Sequence, residues 1–121
     1  MKTENKTNTH PINISHIELF TEGNIDEEIE LFNIFLEQAE TSLQELDNAF
    51  INKDELNWKK VAHRMKGSSM NLGADNLSNL CKIAEFGFEE NPDAKLEMLE
   101  EIKESFNEVK DFIKERRSHY V

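Results

Sequence analysis

The sequence predicts an all-α protein, an antiparallel four-helix bundle with a short additional N-terminal helix. Three observations carry that prediction. Apolar residues recur every three or four positions along four long segments, the spacing that lines one face of a helix. Only four glycines and two prolines occur, and most of them fall between those segments. No run alternates apolar and polar residues as a half-buried strand would. The chain has 121 residues, enough to bury one core. One domain is expected over 12–121, behind a flexible polar tail at 1–11.

Taken in order, the first element is a short helix. Ser15-His16-Ile17-Glu18 has the form of a capping box, and Gly23 closes the helix after Phe20 and Thr21. A long helix follows from about Asp26 to Asn52. Its seam steps through Ile29, Phe32, Leu36, Ala39, Leu43, Leu46 and Phe50. Asn24 or Asp26 can cap it, and Glu27 and Glu28 suit the positive end of its dipole. Asp54 is the expected N-cap of the central helix. Trp58, Val61, Ala62, Met65, Ser69 and Leu72 form that helix's inner stripe, and Gly73 is its left-handed stop. The next helix is predicted from Asp75 or Asn76 to about Glu90, with Leu77, Leu80, Cys81, Ala84 and Phe88 facing inward. Asn91-Pro92-Asp93 breaks the chain, because proline starts a helix well and cannot continue one. Leu99, Ile102, Phe106, Val109 and Ile113 then line a last helix reaching about Arg117.

Composition excludes several functions. A net charge of −11 argues against nucleic acid, whose phosphates need a basic footprint. No apolar run approaches the ~20 residues needed to cross a membrane, and the N-terminus lacks the apolar core of a signal peptide. The lone Cys81 cannot form an internal disulfide, which fits a reducing cytoplasm, and its place on a core stripe argues against redox work. His10, His16 and His119 lack ligand spacing and read as surface residues, so no metal site is expected.

The chemistry concentrates on the central helix. His63 points away from the apolar stripe by roughly 150° at about 100° per residue. Lys59, Lys60, Lys66 and Gly67 lie one turn either side of it, and Leu56 and Met70 two turns away. An exposed imidazole has a pKa of ~6.5, so near neutrality it is a nucleophile. Neighbouring ammonium groups favour its neutral form and attract anions. Glycine inside a helix costs about 1 kcal/mol against alanine. Its place one turn past a nucleophile suggests a surface cleared for a partner. From Leu56 to Ala84, Lys59, Lys60, Arg64, Lys66 and Lys82 face a single acid, Asp75, a local net of +4. Such an island attracts an acidic partner site. Nucleophile, cation and cleared approach together suggest phosphoryl acceptance from a docked protein.

His63-Arg64-Met65-Lys66-Gly67-Ser68-Ser69 with Leu72-Gly73 resembles the HxxKGxxxxxG signature of histidine-containing phosphotransfer (HPt) domains. The resemblance extends back through Ala62 and Trp58 and forward through Leu77, Leu80-Cys81 and Glu85. It implies that His63 accepts a phosphoryl group from a receiver-domain aspartate and passes it to another receiver. Lys66 would balance phosphoryl charge and Gly67 would admit the receiver. Leu56, Lys59, Lys60, Arg64 and Met70 would contribute to docking. The implied partners are response-regulator receiver domains and a hybrid sensor histidine kinase. Mg²⁺ would come from the receiver, since no acidic cluster adjoins His63 in the sequence. No phosphate-binding glycine loop or kinase-type nucleotide site is present, so neither ATP binding nor self-phosphorylation is expected.

Three other readings stand beside this one. They are a non-transferring helical module that docks receivers, the phosphoacceptor domain of a longer chemotaxis-type kinase, and a hydrolase with His63 as base. The last lacks a serine, cysteine or carboxylate at motif spacing. An initiator-like Met1 and a charged, polar end at Lys114–Tyr120 favour a freestanding protein, and a monomer is expected.

Overall fold

The computed structural model describes residues 10–120, so the expected tail lies mostly outside the described residues. Helix α1 spans Ile14–Thr21, α2 Ile25–Ile51, α3 Glu55–Leu72, α4 Asp75–Phe86 and α5 Pro92–Arg117. There is no strand among the described residues. Helix α3 packs against α2 on one side and α4 on the other, and α5 closes the bundle against α2 and α4. Trp58, Val61, Ala62, Met65, Ser69 and Leu72 are all buried, as the spacing along α3 predicts. The last seam behaves the same way, with Leu99, Ile102, Phe106, Val109 and Ile113 in the core.

Several boundaries differ from expectation. Asn13, not Ser15, caps α1: its side chain accepts from the His16 amide, so Ser15 lies within the first turn. Asparagine is at least as good a cap as serine, and the Asn13 amide also donates to the Gly73 carbonyl at 2.9 Å. That bond ties α1 to the end of α3. Gly73 takes φ +85°, and a Cβ there would stand 3.2 Å from the Asn13 carbonyl oxygen, so the stop and the α1 contact both need glycine. His10, placed in the tail by sequence, sets its ring 6.3 Å from that of Phe112.

In α2 the deep stripe runs Glu28, Phe32, Phe35, Ala39, Ser42, Leu46 and Ala49. Ile29, Leu36, Leu43 and Phe50 are only partly buried. The helix is wedged between α1, α3 and α5, so its buried face is wider than a two-position seam and centres on small residues. Glu28 is not simply a dipole partner. It lies in the core, where Arg116 and the Tyr120 hydroxyl donate to it. Burial alone would push its carboxyl up, but these bonds and the Arg116 charge hold it below the usual carboxylate range. Helix α4 ends at Phe86 rather than near Glu90, because residues 87–91 make the reversal into α5. There Asn91 is extended and accepts from the Ala94 amide, with Pro92 opening α5. Cys81 is buried, and burial pushes its thiol up to about 12, consistent with an inert core residue.

Candidate functional site

The site is built on the α3–α4 hairpin. Asp54 starts α3 by accepting from the Asn57 amide, and Gly73 stops it, so the helix is fixed at both ends. Trp58 is wholly buried and donates its indole N–H to the Ala84 carbonyl at 2.8 Å. The Ser78 hydroxyl donates to the Lys66 carbonyl at 3.0 Å. These two bonds set the register of α4 on α3, and Glu85 follows Ala84 onto the α3 surface.

His63 remains 64% exposed at its side chain, yet it is not unpartnered. Its Nδ1 lies 2.8 Å from Glu85 Oε2. Lys66 Nζ lies 3.0 Å from the other carboxylate oxygen, Oε1. The Lys66 side chain is 21% exposed and that of Glu85 11%. Burial alone would raise the Glu85 carboxyl, but hydrogen bonds and charge from Lys66 and His63 outweigh it and hold the group below its usual range. Glu85 is therefore ionised near neutrality, and an ionised carboxylate can only accept. Nδ1 must therefore carry a proton, and the neutral form of the ring then has its lone pair at Nε2. No described residue hydrogen-bonds Nε2.

Sequence reasoning missed Glu85 as the carboxylate partner of His63. The local net of +4 was counted from Leu56 to Ala84 and stopped one residue short of it. A carboxylate four residues past Cys81, on the flank of an apolar stripe, is a signal for a half-buried charge seeking a cation. The basic island is accordingly smaller than the sequence suggests. Lys66 is paired with Glu85, and Arg64 turns toward α2, where it donates to Glu45 and Ser42. Arg64 thus stands apart from the other docking candidates. Lys59 and Lys60 are exposed, with the Lys59 ammonium 4.5 Å from the centre of the Phe88 ring. Leu56 is 72% exposed and Met70 54%.

Gly67 is half-buried, and beyond its chain neighbours and the adjoining turns of its own helix backbone no atom lies within 4 Å of where a Cβ would stand, so the helix surface beside His63 is open. Sequence reasoning also passed over Phe86, 70% exposed and adjacent to Glu85. Leu19 and Phe20 on α1 are exposed too, at the end where His16 Nε2 lies 3.0 Å from the Asn71 carbonyl. No group of three or more His, Cys, Asp or Glu able to hold a metal ion occurs among the described residues. No described helix is long and apolar enough to cross a membrane.

Comparisons with known proteins identify the family. The family model for the Hpt domain matches residues 30–112. Multistep phosphorelay regulator 1 from Schizosaccharomyces pombe is 30% identical over 94 residues, a match covering 72% of this chain and 32% of that protein. The chain therefore spans about a third of that relative's length. The crystal structure of histidine-containing phosphotransfer protein B from Pseudomonas aeruginosa PAO1 superposes with a TM-score of 0.81 at 25% identity. That superposition covers 92% of this chain and 97% of the other.

Proposed function

The chain belongs to the Hpt domain family, and we propose that within a multistep phosphorelay His63 is the residue that carries the phosphoryl group. The observation that supports this most is the divided imidazole. Glu85 holds Nδ1–H on one side of the ring and leaves Nε2 unpartnered on an exposed helix face. In the proposed step the Nε2 lone pair attacks the phosphorus of a receiver's aspartyl phosphate. The Nε2–P bond forms as the P–O bond to the aspartate breaks, and the aspartate carboxylate leaves with that electron pair. The ring, still protonated at Nδ1, gains positive charge beside the Glu85 carboxylate. Reversal of the same step delivers the group to a second receiver.

Such a transfer depends on alignment and charge neutralisation more than on proton transfer by the protein. Lys66 supplies the positive charge nearest the incoming oxygens, and Gly67 leaves room for the receiver's loops. Leu56, Met70 and Phe86 give the docking face an apolar footing, with Lys59 and Lys60 attracting an acidic receiver site. The Mg²⁺ such transfers use falls to the receiver, because the one carboxylate beside His63 is already committed to the imidazole N–H and to the Lys66 ammonium. The chain acts as a carrier that neither binds ATP nor phosphorylates itself, works as a monomer in the cytoplasm, and receives its phosphoryl group through a hybrid sensor histidine kinase.

The test is to incubate the chain with phosphorylated receiver domains and locate the label. It should be acid-labile, alkali-stable and absent from His63→Gln. Label on another residue would refute the assignment of His63. A receiver that binds without transferring would favour the docking-only reading.

A further inference from the structure

Helix α4 carries a cation that the site described above leaves unused. Lys82 lies one turn before Glu85, and at about 100° per residue it sits ~60° from Glu85 on the solvent side of the helix. Phe86 follows Lys82 at i+4, ~100° from Glu85 on the same outer face. Ile83 is exposed as well, but it turns ~160° from Glu85 and leaves this face. The Lys82 ammonium stands 6.0 Å from the centre of the Phe86 ring, so the two side chains lie together on the helix that brings Glu85 to His63. Lys82 is exposed, Phe86 is 70% exposed, and no described carboxylate forms an ion pair with Lys82.

The two flanks of His63 differ in charge. Toward α2, Glu37, Glu45 and Arg64 line a polar groove of about 490 Å³, and Arg64 is committed to Glu45. Toward α4, Lys66 is matched by Glu85, which leaves Lys59 and Lys82 uncompensated. Asp75 lies at the opposite end of α4, and Glu55, Glu89 and Glu90 line the cleft by the α2–α3 turn. Positive charge beside the imidazole therefore leans toward α4.

We propose that Lys82 and Phe86 form a second footing for the receiver, with Lys82 recognising carboxylates on the receiver beside its phosphorylated aspartate. The inference rests on the phosphotransfer reading of His63. A receiver that brings Mg²⁺ must hold it with oxygen ligands, chiefly carboxylates, so the surface around the reacting phosphorus is acidic. The α4 footing is continuous with the His63 face through Glu85, and Phe86 offers the aromatic anchor that interfaces favour. An exposed charge at the rim acts on association more than on chemistry. Lys82 is thus a docking residue and takes no part in the transfer itself.

The test measures transfer from phosphorylated receiver domains to Lys82→Glu, alongside phosphoramidate labelling of the same protein. At limiting receiver and low salt, transfer should slow on the order of 10-fold, and the gap should narrow as salt rises to ~0.5 M. The rate at saturating receiver, the phosphoramidate rate and the melting temperature should stay near the parent values. Lys82→Arg should transfer like the parent. Phe86→Ser should also slow transfer at limiting receiver, with a loss that persists in high salt. Lys114→Glu makes the same change of net charge on α5, which packs against α2 and α4, and should transfer near the parent rate. Unchanged transfer in Lys82→Glu, or equal slowing by Lys114→Glu, would overturn the proposal and leave the role of His63 standing. A parent chain that phosphoramidate labels at His63 and no receiver labels would overturn the carrier reading, and this inference with it.

Discussion

Substitution at Gly67 separates receiver docking from the chemistry of His63. Beyond its chain neighbours and the adjoining turns of its own helix backbone, a Cβ at this position meets no atom within 4 Å, so Gly67→Ala has nothing to displace. The helix then gains the full propensity difference between alanine and glycine, about 1 kcal/mol. With ~2 cal/mol/K of unfolding entropy per residue, the melting temperature should rise by about 4 °C. Gly67→Leu and Gly67→Gln are good helix formers and should fold as well as the parent. Either side chain, however, would occupy the open surface beside His63. If a receiver must reach that surface, displacing it by even ~1 Å should slow transfer on the order of 100-fold. Phosphoramidate needs far less room and should label His63 in Gly67→Leu at close to the parent rate. The paired assay therefore measures receiver-to-His63 transfer and phosphoramidate labelling on parent and variant. Parallel loss of both rates would mean that Gly67 serves the geometry of the imidazole itself. Loss of neither would leave the docking argument without support.

Three further outcomes are expected. Glu85→Gln keeps an acceptor for Nδ1–H but removes the charge shared by His63 and Lys66, so phosphoramidate labelling should slow by ~10-fold, as the loss of about 1.4 kcal/mol from a charged hydrogen bond would require; Glu85→Ala should slow it more, and an unchanged rate in both would disprove a positioning role. Trp58→Phe removes a wholly buried indole and its bond to Ala84, and urea unfolding should show a loss of about 2–4 kcal/mol. The Glu28 carboxyl is held below its ordinary value of 4.5, so its stabilising contribution is complete above that pH and is lost as pH falls through the lower folded value. Melting curves from pH 6 downward should therefore fall less steeply below about pH 4.5 for Glu28→Gln than for the parent.

The fold was readable because most of its elements announce themselves locally. The stripe from Trp58 to Leu72 and the seam from Leu99 to Ile113 each follow from spacing alone, and Asp54, Gly73 and Pro92 mark their ends with residues suited to those backbone positions. The seam of α2 was read one residue off at several positions. A helix packed on three sides buries an arc, and periodicity locates the arc's centre poorly when small residues such as Ser42 and Ala49 occupy it. The site divided along the same line. His63, Lys66 and Gly67 lie within five residues of one another and share one helix face. Glu85 is 22 residues from His63, and only the packing of α4 against α3 brings it there. Arg64 shows the converse, since its neighbours in sequence say nothing of Glu45 across the α2–α3 interface.

The pairing of Glu85 with both His63 and Lys66 bears on how the proposed carrier would tolerate its own modification. In the structure one ionised carboxylate faces the imidazole through one oxygen and an ammonium through the other. On the proposed chemistry, phosphorylation at Nε2 adds negative charge on the phosphoryl oxygens and positive charge on the ring. Both new charges find partners already in place. The ring keeps Glu85 through Nδ1–H, and Lys66, anchored only by an ion pair to the other carboxylate oxygen, can exchange that oxygen for the phosphoryl group. No further residue has to move into the site, and no buried charge is left without a partner. A carrier that must load and unload without a strong preference for either state requires this kind of balance, since an arrangement built to hold only the phosphorylated form would resist giving the group up.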